Sequence, residues 1–538
     1  MGLRRKVSGL VSPKSSLEAS IDEYEPTPDD MFEFEPREGH EETRRYWLDE
    51  PYSTAVITQD GDGVLHYNAV EPSVTDFERE LLNTLYYDLR DVLAVKEFED
   101  VEDSEDVLKK GVVELIHSYG IQVEPVSFHR IFYYLRRSYM GMGKIEPLLE
   151  DPYVEDISCH GYGAPIYLYH GDYQDIRTNV EFDEDELNSL IITLSQKSGK
   201  HISIERPIVS ASLPDGSRVE LTLGREVTQE GSTFTIRKFS EEPFTPTELI
   251  KSGTFSVEQM AYLWVAIENN RSLIFAGGTA SGKTTSLNAV SMFIPPRSKV
   301  ISIEDTPEIR IHHENWVPSV TREGIGVESE IDMYTLLRSA LRQRPEYIIV
   351  GEVRGEEAMT LFQAMSTGHT TYSTLHADSI ETAINRLENP PIDVPRSMLE
   401  ALDILSIQVL TRYEDERVRR NNVLAEIAGI DSRTGDINVN TLYEWNPSDD
   451  SLDQISESVV LKEIRDDMGL SRAELMGEIR TREKILRYLV ENDITDFREF
   501  TNLVNRYYTN PEKELESMGI QPEGETVIAG ESDADESR

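Results

Sequence analysis

The sequence predicts an α/β protein in which a domain built on a parallel sheet follows a smaller α+β domain and precedes a helical extension. Strand-like and helical segments alternate from residue 250 to about residue 390, which is typical of a parallel sheet covered by helices. Short alternating runs such as IYLY dominate residues 155–239 and indicate strands. Helical periodicity returns toward the C-terminus.

The chain is predicted to divide into seven segments at shifts in composition. The stretch SEEPFTPTEL has two prolines and no apolar periodicity, so it marks the linker between the main domains. The segments are an acidic, disordered arm (1–44), a mixed and helical subdomain (45–150), the α+β domain (151–239), the linker (240–249), the parallel-sheet domain (250–446), the helical extension (447–520) and a disordered acidic tail (521–538).

Individual elements follow from local signals. The apolar spacing of FHRIFYYLRRSY predicts a helix that stops at the glycines of GMG, residues 141–143. The turn sequence PDG at 214–216 predicts a β-hairpin. Ser471 with Glu474 predicts a capping box, and another helix is expected after Thr495. Further strands are expected at 404–411, 423–430 and 441–445.

Composition limits the partners and the compartment. Lys and Arg number 53 against 100 Asp and Glu, a formal net charge of −47. Such a surface tolerates concentrated salt, where self-repulsion is screened, and it disfavours nucleic acid as a partner. A generally acidic protein of ordinary habitat is the alternative. Cys159 is the only cysteine, which excludes a disulfide within the chain and predicts a reducing compartment.

No membrane-spanning segment is expected. Apolar runs fall short of the roughly 20 residues that cross a bilayer, and MGLRRKVSGLVSPKSS lacks the apolar stretch of a signal peptide. The sequence therefore predicts a cytoplasmic protein without direct membrane insertion, whose membrane contact goes through a partner.

The segment LIFAGGTASGKTT carries the pattern GxxxxGK[ST] between a strand and a helix. Glycines let backbone N–H groups close around phosphates, Lys283 neutralises the β- and γ-phosphates, and Thr284 can hold Mg²⁺. ATP and Mg²⁺ are therefore the predicted ligands. The predicted nucleotide-binding residues are Gly277, Gly278, Thr279, Ala280, Ser281, Gly282, Lys283, Thr284 and Thr285.

Two further strand-like segments end in acids. Glu304 follows KVISI, and Glu352 follows YIIVG. In a doubly wound sheet such strand ends converge beside the phosphate loop, where a carboxylate can orient water or bind Mg²⁺. Both glutamates are catalytic candidates, and Glu352 is also a metal candidate with Thr284. The alternative for each is a solvated acid at a strand end.

Histidines and arginines complete the candidate site. His369 and His376 flank one strand-like run and are expected at the same sheet edge, to sense or relay a γ-phosphate contact, unless they are satisfied core histidines. Arg338, Arg342 and Arg344 lie on or after a helix. Each alone is expected to pair with nearby acids, and the alternative is an arginine that reaches a neighbour's nucleotide.

Four motifs in order resemble the secretion ATPase superfamily that powers type II secretion, type IV pili, type IV secretion and the archaellum. They are GGTASGKT, ISIEDTPEI, YIIVGEVRG and GHTTYSTLHA, which span residues 277–377. GKIEPLLEDPYVEDISCHG and RPIVSASLPDGSRVELT extend the resemblance to roughly residues 130–445. The resemblance implies a RecA-like ATPase domain in a hexameric ring that docks on a polytopic membrane platform protein.

The resemblance also implies roles for individual residues. Glu304 becomes the leading candidate to polarise the attacking water, with Glu352 holding Mg²⁺ or sharing that role. Arg206 and Arg218 of the N-terminal domain are expected to close over the nucleotide.

Departures from the bacterial members indicate which branch of the family the chain resembles. The chain lacks the four-cysteine zinc element, while HHENWVPSVTREG and the helical extension resemble the archaeal branch, and the acidity resembles haloarchaeal proteins. Archaellum motor, pilus assembly and secretion all remain open. A non-hydrolysing scaffold or switch is the alternative function, and a nucleic-acid motor is disfavoured by charge.

Overall fold

The computed structural model describes residues 14–93, 101–239, 242–322, 331–414 and 416–521. The chain forms two compact units, Met1–Phe239 and Ser240–Arg538. The predicted acidic tail lies outside the described residues from residue 522 onward. Within the described ranges, no helix combines the length and apolar character needed to span a bilayer.

The N-terminal unit contains a nine-stranded sheet in the order β1-β2-β3-β6-β5-β4-β9-β8-β7. Its strands are β1 (Glu41–Asp49), β2 (Ser53–Gln59), β3 (Leu65–Val70), β4 (Val154–Cys159), β5 (Pro165–His170), β6 (Gln174–Glu181), β7 (Ile208–Ser212), β8 (Arg218–Thr222) and β9 (Thr233–Arg237). All neighbours are antiparallel except β3 and β6, which are parallel.

In the described part of this unit, seven α-helices accompany the sheet, and four of them share a separate apolar core. They are α1 (Lys14–Asp22), α2 (Pro28–Met31), α3 (Asp76–Leu93), α4 (Val101–Tyr119), α5 (Pro125–Tyr139), α6 (Glu146–Glu150) and α7 (Glu184–Lys197). The predicted helix is α5: proline occupies its first turn, and Phe128, Ile131 and Leu135 are buried at helical spacing. These residues pack with Leu85 of α3 and Val112 of α4.

Two predicted boundaries are wrong in this unit, whereas the predicted hairpin is confirmed. Instead of a disordered arm, residues 14–44 form α1, α2 and the start of β1, and Met31 is fully buried. The boundary at residue 150 does not separate domains, because β3 pairs with β6 across it. The turn at 214–216 joins β7 to β8, and its Gly216 has a φ of 92°, which glycine adopts readily.

The C-terminal unit contains a second nine-stranded sheet, in the order β12-β11-β13-β14-β10-β15-β16-β17-β18. Its strands are β10 (Leu273–Gly277), β11 (Val300–Glu304), β12 (Trp316–Val320), β13 (Tyr347–Val350), β14 (Thr370–Leu375), β15 (Ile404–Tyr413), β16 (Glu416–Ile430), β17 (Ile437–Asn446) and β18 (Ser451–Gln454). The first six in spatial order are parallel, and β16, β17 and β18 continue the sheet antiparallel. The predicted parallel sheet and the three predicted late strands are confirmed.

Helices cover both faces of this sheet. They are α8 (Pro246–Lys251), α9 (Val257–Glu268), α10 (Lys283–Ser291), α11 (Met333–Leu341), α12 (Glu357–Ser366), α13 (Ile380–Glu388), α14 (Arg396–Leu399), α15 (Val459–Met468), α16 (Arg472–Glu491), α17 (Phe497–Thr509) and α18 (Pro511–Ser517). The capping box of Ser471 and Glu474 opens α16 as predicted, and α17 follows Thr495. Two apolar cores, one containing Phe275 and the other Ile274, lie on opposite faces of β10.

The predicted linker and extension belong to this unit. The boundary between units falls where the predicted linker begins, but α8 already starts at Pro246 inside the predicted range 240–249. The extension is not a separate body, since Leu486 and Phe500 share a core with Trp264 of α9. A buried ion pair between Arg482 of α16 and Glu268 of α9 adds to this contact.

Candidate functional site

A glycine-rich loop joins β10 to α10 at the carboxyl edge of the parallel strands. Gly282, which caps α10, has a φ of 89°, a conformation that suits glycine. Gly277 has no room for a side chain, since a Cβ there would lie 2.4 Å from the main-chain oxygen of Gln408. The backbone path itself therefore requires these two glycines of the predicted loop.

Lys283 lies inside this loop. It is 8% exposed, and its Nζ donates a hydrogen bond of 2.7 Å to the main-chain oxygen of Gly278. Ser281 Oγ donates to the same oxygen at 2.9 Å. These two bonds close the loop around the Lys283 ammonium group, at the amino end of α10, where backbone N–H groups and the helix dipole favour an anion.

Strand register brings the predicted residues to this edge. Ala276 pairs with Leu375, so His376 follows β14 at the level of the loop. Ile303 pairs with Val350, so Glu304, the last residue of β11, lies beside the end of β13, which Glu352 follows. Contact confirms this alignment, because a Cβ on Gly351 would lie 3.1 Å from Glu304 Cγ. The predicted convergence of the two strand ends is thus confirmed.

Glu304 is held by the main chain that follows it. The residue is 3% exposed, and its Oε1 accepts N–H bonds from Glu308 at 2.8 Å and Ile309 at 2.9 Å. From the other side, Asn288 of α10 donates to the Glu308 oxygen at 2.8 Å and accepts the Arg310 N–H at 2.9 Å. The segment after β11 is therefore tied both to Glu304 and to the helix that follows the loop.

Glu352 presents a buried oxygen that accepts no hydrogen bond. Its Oε2 accepts a bond of 2.5 Å from Arg354. Its Oε1 lies 3.2 Å from His376 Nε2, but the geometry of the two groups does not meet the criteria for a hydrogen bond. Within the described part of the chain, this buried oxygen accepts no hydrogen bond from any other group. A buried acceptor without a partner is costly, so it marks a place where a ligand or ordered water completes the structure.

His376 belongs to the site, and His369 does not. Burial, followed by the positive charge of Lys283, lowers the pKa of His376, so its imidazole is neutral near pH 7. His369 precedes β14 and His376 follows it, at opposite ends of a six-residue strand. At about 3.3 Å per residue they are roughly 20 Å apart, so the prediction of a shared sheet edge is wrong.

Two arginines of the site were not predicted. Arg354 donates to Glu352 and lies 3.8 Å from Asp305, so it links Glu352 to the residue that follows Glu304. Arg419 of β16 donates from Nε to the main-chain oxygen of Ala280 at 3.0 Å. A local signal for Arg419 exists in the run RVRR, where three arginines fall within residues 417–420 of a strongly acidic chain.

The remaining predicted arginines are on other elements of the chain. Arg206 is exposed in the loop before β7, and Arg218 opens β8 opposite Ser212, both in the N-terminal unit. Arg338, Arg342 and Arg344 are exposed at and after α11. Their expected pairing with acids is wrong for the described residues: no ion pair forms, and Arg338 lies over the Tyr334 ring at 5.5 Å.

Comparison with known proteins places the chain in a family. Residues 145–463 match the family described as "Type II/IV secretion system protein". Residues 2–73 match the N-terminal family described as PilB3-like, and residues 449–532 match its C-terminal counterpart.

Two proteins and one solved structure illustrate what the chain is similar to. Uncharacterized protein MJ0900 of Methanocaldococcus jannaschii is 35% identical over 479 residues, which cover 84% of this chain and 86% of that protein. The type IV secretion system protein PtlH of Bordetella pertussis is 32% identical over 273 residues, covering 45% and 80%. The VirB11 ATPase of the Brucella suis type IV secretion system is 25% identical, with a TM-score of 0.27 over 52% of this chain and 91% of that one. The chain therefore belongs to the type II/IV secretion system protein family.

Proposed function

We propose that the chain is an ATP-hydrolysing motor that drives assembly of a type IV pilus-like filament, an archaellum or a secretion machine at the cytoplasmic membrane. Family membership supports the class of machine. The observation that carries hydrolysis is the buried Glu304 carboxylate, which two main-chain N–H bonds hold at the same sheet edge as the phosphate loop and Glu352. A site that only binds Mg²⁺-nucleotide needs one carboxylate for the metal, whereas hydrolysis also needs a group that takes a proton from the attacking water.

The residues of this edge suit ATP and Mg²⁺. Lys283 offers its charge at the amino end of α10, and Thr284 follows it in the first turn. Thr284 and Glu352 would hold Mg²⁺, directly or through water, with the phosphates supplying further ligands, as is usual for this ion. When bound, Mg²⁺ neutralises charge on the β- and γ-phosphates. The unpartnered Glu352 oxygen is the acceptor that such a hydrated ion needs.

The two glutamates receive different roles. The main-chain bonds to Oε1 fix the orientation of the Glu304 carboxylate, so we assign this carboxylate to the attacking water. A fixed carboxylate beside the γ-phosphate position can take a proton from that water without first reorganising. Glu352 then serves the metal, and neutral His376 beside it can donate or accept one hydrogen bond at the γ-phosphate.

The motor is proposed to work as a homo-oligomeric ring, a hexamer, bound to a polytopic membrane platform protein. Arg206 and Arg218 are the proposed covers of the nucleotide from the N-terminal unit. Arg338, Arg342 and Arg344 are exposed without acidic partners in the described ranges, which suits a contact to a neighbouring subunit's nucleotide. Each interface would then complete one site.

Phosphate release from Mg²⁺-ATP by the full chain tests this function. Lys283→Ala should abolish turnover and weaken nucleotide binding, because the charge facing the phosphates is lost. Glu352→Gln should bind ATP yet turn over roughly 10²-fold more slowly. Asp378→Asn, which removes the same charge from an exposed position two residues after His376, is the matched control and should be unchanged.

The wild-type result decides between motor and scaffold. Wild-type protein that binds ATP with no phosphate release, alone or at high concentration, would establish the scaffold alternative. Wild-type turnover in Lys283→Ala would refute the proposed site itself.

A further inference from the structure

Arg419 contacts the phosphate loop from the neighbouring strand β16. It projects from β16, the first antiparallel strand added beyond the parallel sheet. Its Nε donates to the main-chain oxygen of Ala280 at 3.0 Å. Its Cδ packs against Gly282, where an added Cβ would lie 3.4 Å away. The side chain thus covers the loop from Ala280 to Gly282.

The strand that carries Arg419 is firmly anchored at this point. The next residue, Arg420, is 6% exposed and makes two bonds of 2.7 Å to the Asp450 carboxylate. Arg420 also donates to the main-chain oxygens of Ser252, at 2.8 Å, and of Arg419 itself, at 2.9 Å. The Arg419 backbone therefore has a fixed position from which its side chain reaches the loop.

The hydrogen bond from Arg419 is made to a residue with an unusual backbone conformation. Ala280 has a φ of 58°, in the left-handed region that non-glycine residues rarely occupy. A trans peptide is planar, so its C=O and the following N–H point in opposite directions. Because the Ala280 oxygen points toward Arg419 on β16, the Ser281 N–H points the opposite way, away from β16. Among the described residues, nothing accepts a hydrogen bond from that N–H.

We infer that Arg419 is a positioning residue that aims the Ser281 N–H at a nucleotide phosphate. This inference rests on the proposed function, since it assumes that the loop binds ATP. Arg419 acts through the loop, so its contribution depends on phosphates alone and is independent of base and ribose. The antiparallel β15–β16 hairpin thereby becomes part of the nucleotide site.

Equilibrium binding to the full chain tests the inference. A fluorescent ADP derivative with Mg²⁺ is the probe, and unlabelled ADP and inorganic pyrophosphate are the competitors. Arg419→Ala should weaken both competitors about tenfold, the size of one charge-assisted hydrogen bond. Arg419→Lys should recover part of the loss, because an ammonium group also donates to a carbonyl. Arg417→Ala removes the same charge from an exposed position on β16 and should change binding less than about twofold.

The outcomes separate this inference from the proposed function. Arg419→Ala and Arg417→Ala should unfold at similar temperatures without nucleotide, which excludes a folding defect. Weaker ADP binding with unchanged pyrophosphate binding would overturn the inference in favour of a base or ribose contact. Equal affinities in both variants would show that Arg419 has no positioning role. Wild-type protein that binds neither competitor would refute the proposed function together with the inference.

Discussion

Replacing Glu304 by glutamine or by alanine separates its structural contact from its proposed chemistry. Alanine removes the acceptor of the Glu308 and Ile309 N–H groups. An unpaired donor costs about 1–3 kcal/mol at the buried Ile309 and about 1 kcal/mol at the half-buried Glu308, so about 2–4 kcal/mol in all. Glutamine keeps an oxygen that accepts both bonds and should cost less than about 1 kcal/mol.

Two measurements on each variant give the test. Thermal unfolding of Glu304→Ala should occur roughly 4–16 °C below wild type, at about 2–4 °C per kcal/mol, and Glu304→Gln should stay within about 4 °C. Phosphate release at saturating Mg²⁺-ATP should fall about 10²-fold or more in both variants, because neither keeps a carboxylate to take the proton. ATP binding should persist in Glu304→Gln.

Two results would refute this reasoning. If glutamine destabilises the protein as much as alanine does, the negative charge of Glu304, and not its oxygen acceptor, holds the following segment. If Glu304→Gln turns over at nearly the wild-type rate while Glu352→Gln does not, the roles of the two glutamates are reversed.

Three further predictions concern assembly, pH and stability. Turnover per subunit should rise steeply with protein concentration in salt-rich buffer, and Arg218→Ala should bind nucleotide but lose most of that rise. If wild-type turnover per subunit does not change with concentration, the active site is not completed by a neighbouring subunit. Burial lowers the pKa of His376 below the ordinary 6.5, so turnover should stay constant down to about pH 6.5. Below that pH turnover should decline, because the imidazole gains a proton and pairs with Glu352. The pH profile of His376→Gln should lack this decline. Two arginines of α16 form ion pairs at 2.5 Å: Arg482 with Glu268, whose side chains are 5% and 9% exposed, and Arg487 with Glu258, whose side chains are 53% and 45% exposed. Denaturant unfolding should therefore show a loss of about 3–5 kcal/mol for Arg482→Ala and under about 1 kcal/mol for Arg487→Ala. Equal losses would contradict the burial argument.

Local patterns in the sequence determined the loop and the sheet around it. The pattern GxxxxGK[ST] predicts the conformation of the loop, because the backbone path requires glycine at residues 277 and 282. Lys283 follows as the first residue of the helix. Buried parallel strands appear in a sequence as continuous apolar runs. The strands before Glu352 and up to Glu304 could therefore be predicted without knowing which strands they pair with. Parallel strands end at one edge, and that rule alone brought the two acids together.

Segment boundaries were less accessible from sequence. The stretch before β1 is acidic and rich in proline, which predicts disorder, yet Met31 is buried and Arg130 donates to the Asp30 oxygen. That stabilisation comes from residues 100 positions away and leaves no local pattern. For the same reason the pairing of β3 with β6 across residue 150 could not be predicted.

Only the tertiary structure decided which polar groups have partners, and this is what separates similar residues at the site. Glu304 and Glu352 are both acids after buried strands, but the chain folds back so that main-chain N–H groups reach the first and leave one oxygen of the second without a hydrogen bond. His369 and His376 belong to one motif, but the strand between them places them at opposite ends. Arg419 reaches the loop from 139 residues away. Hydrogen bonding depends on distances that the fold sets, and periodicity in the sequence contains no information about them.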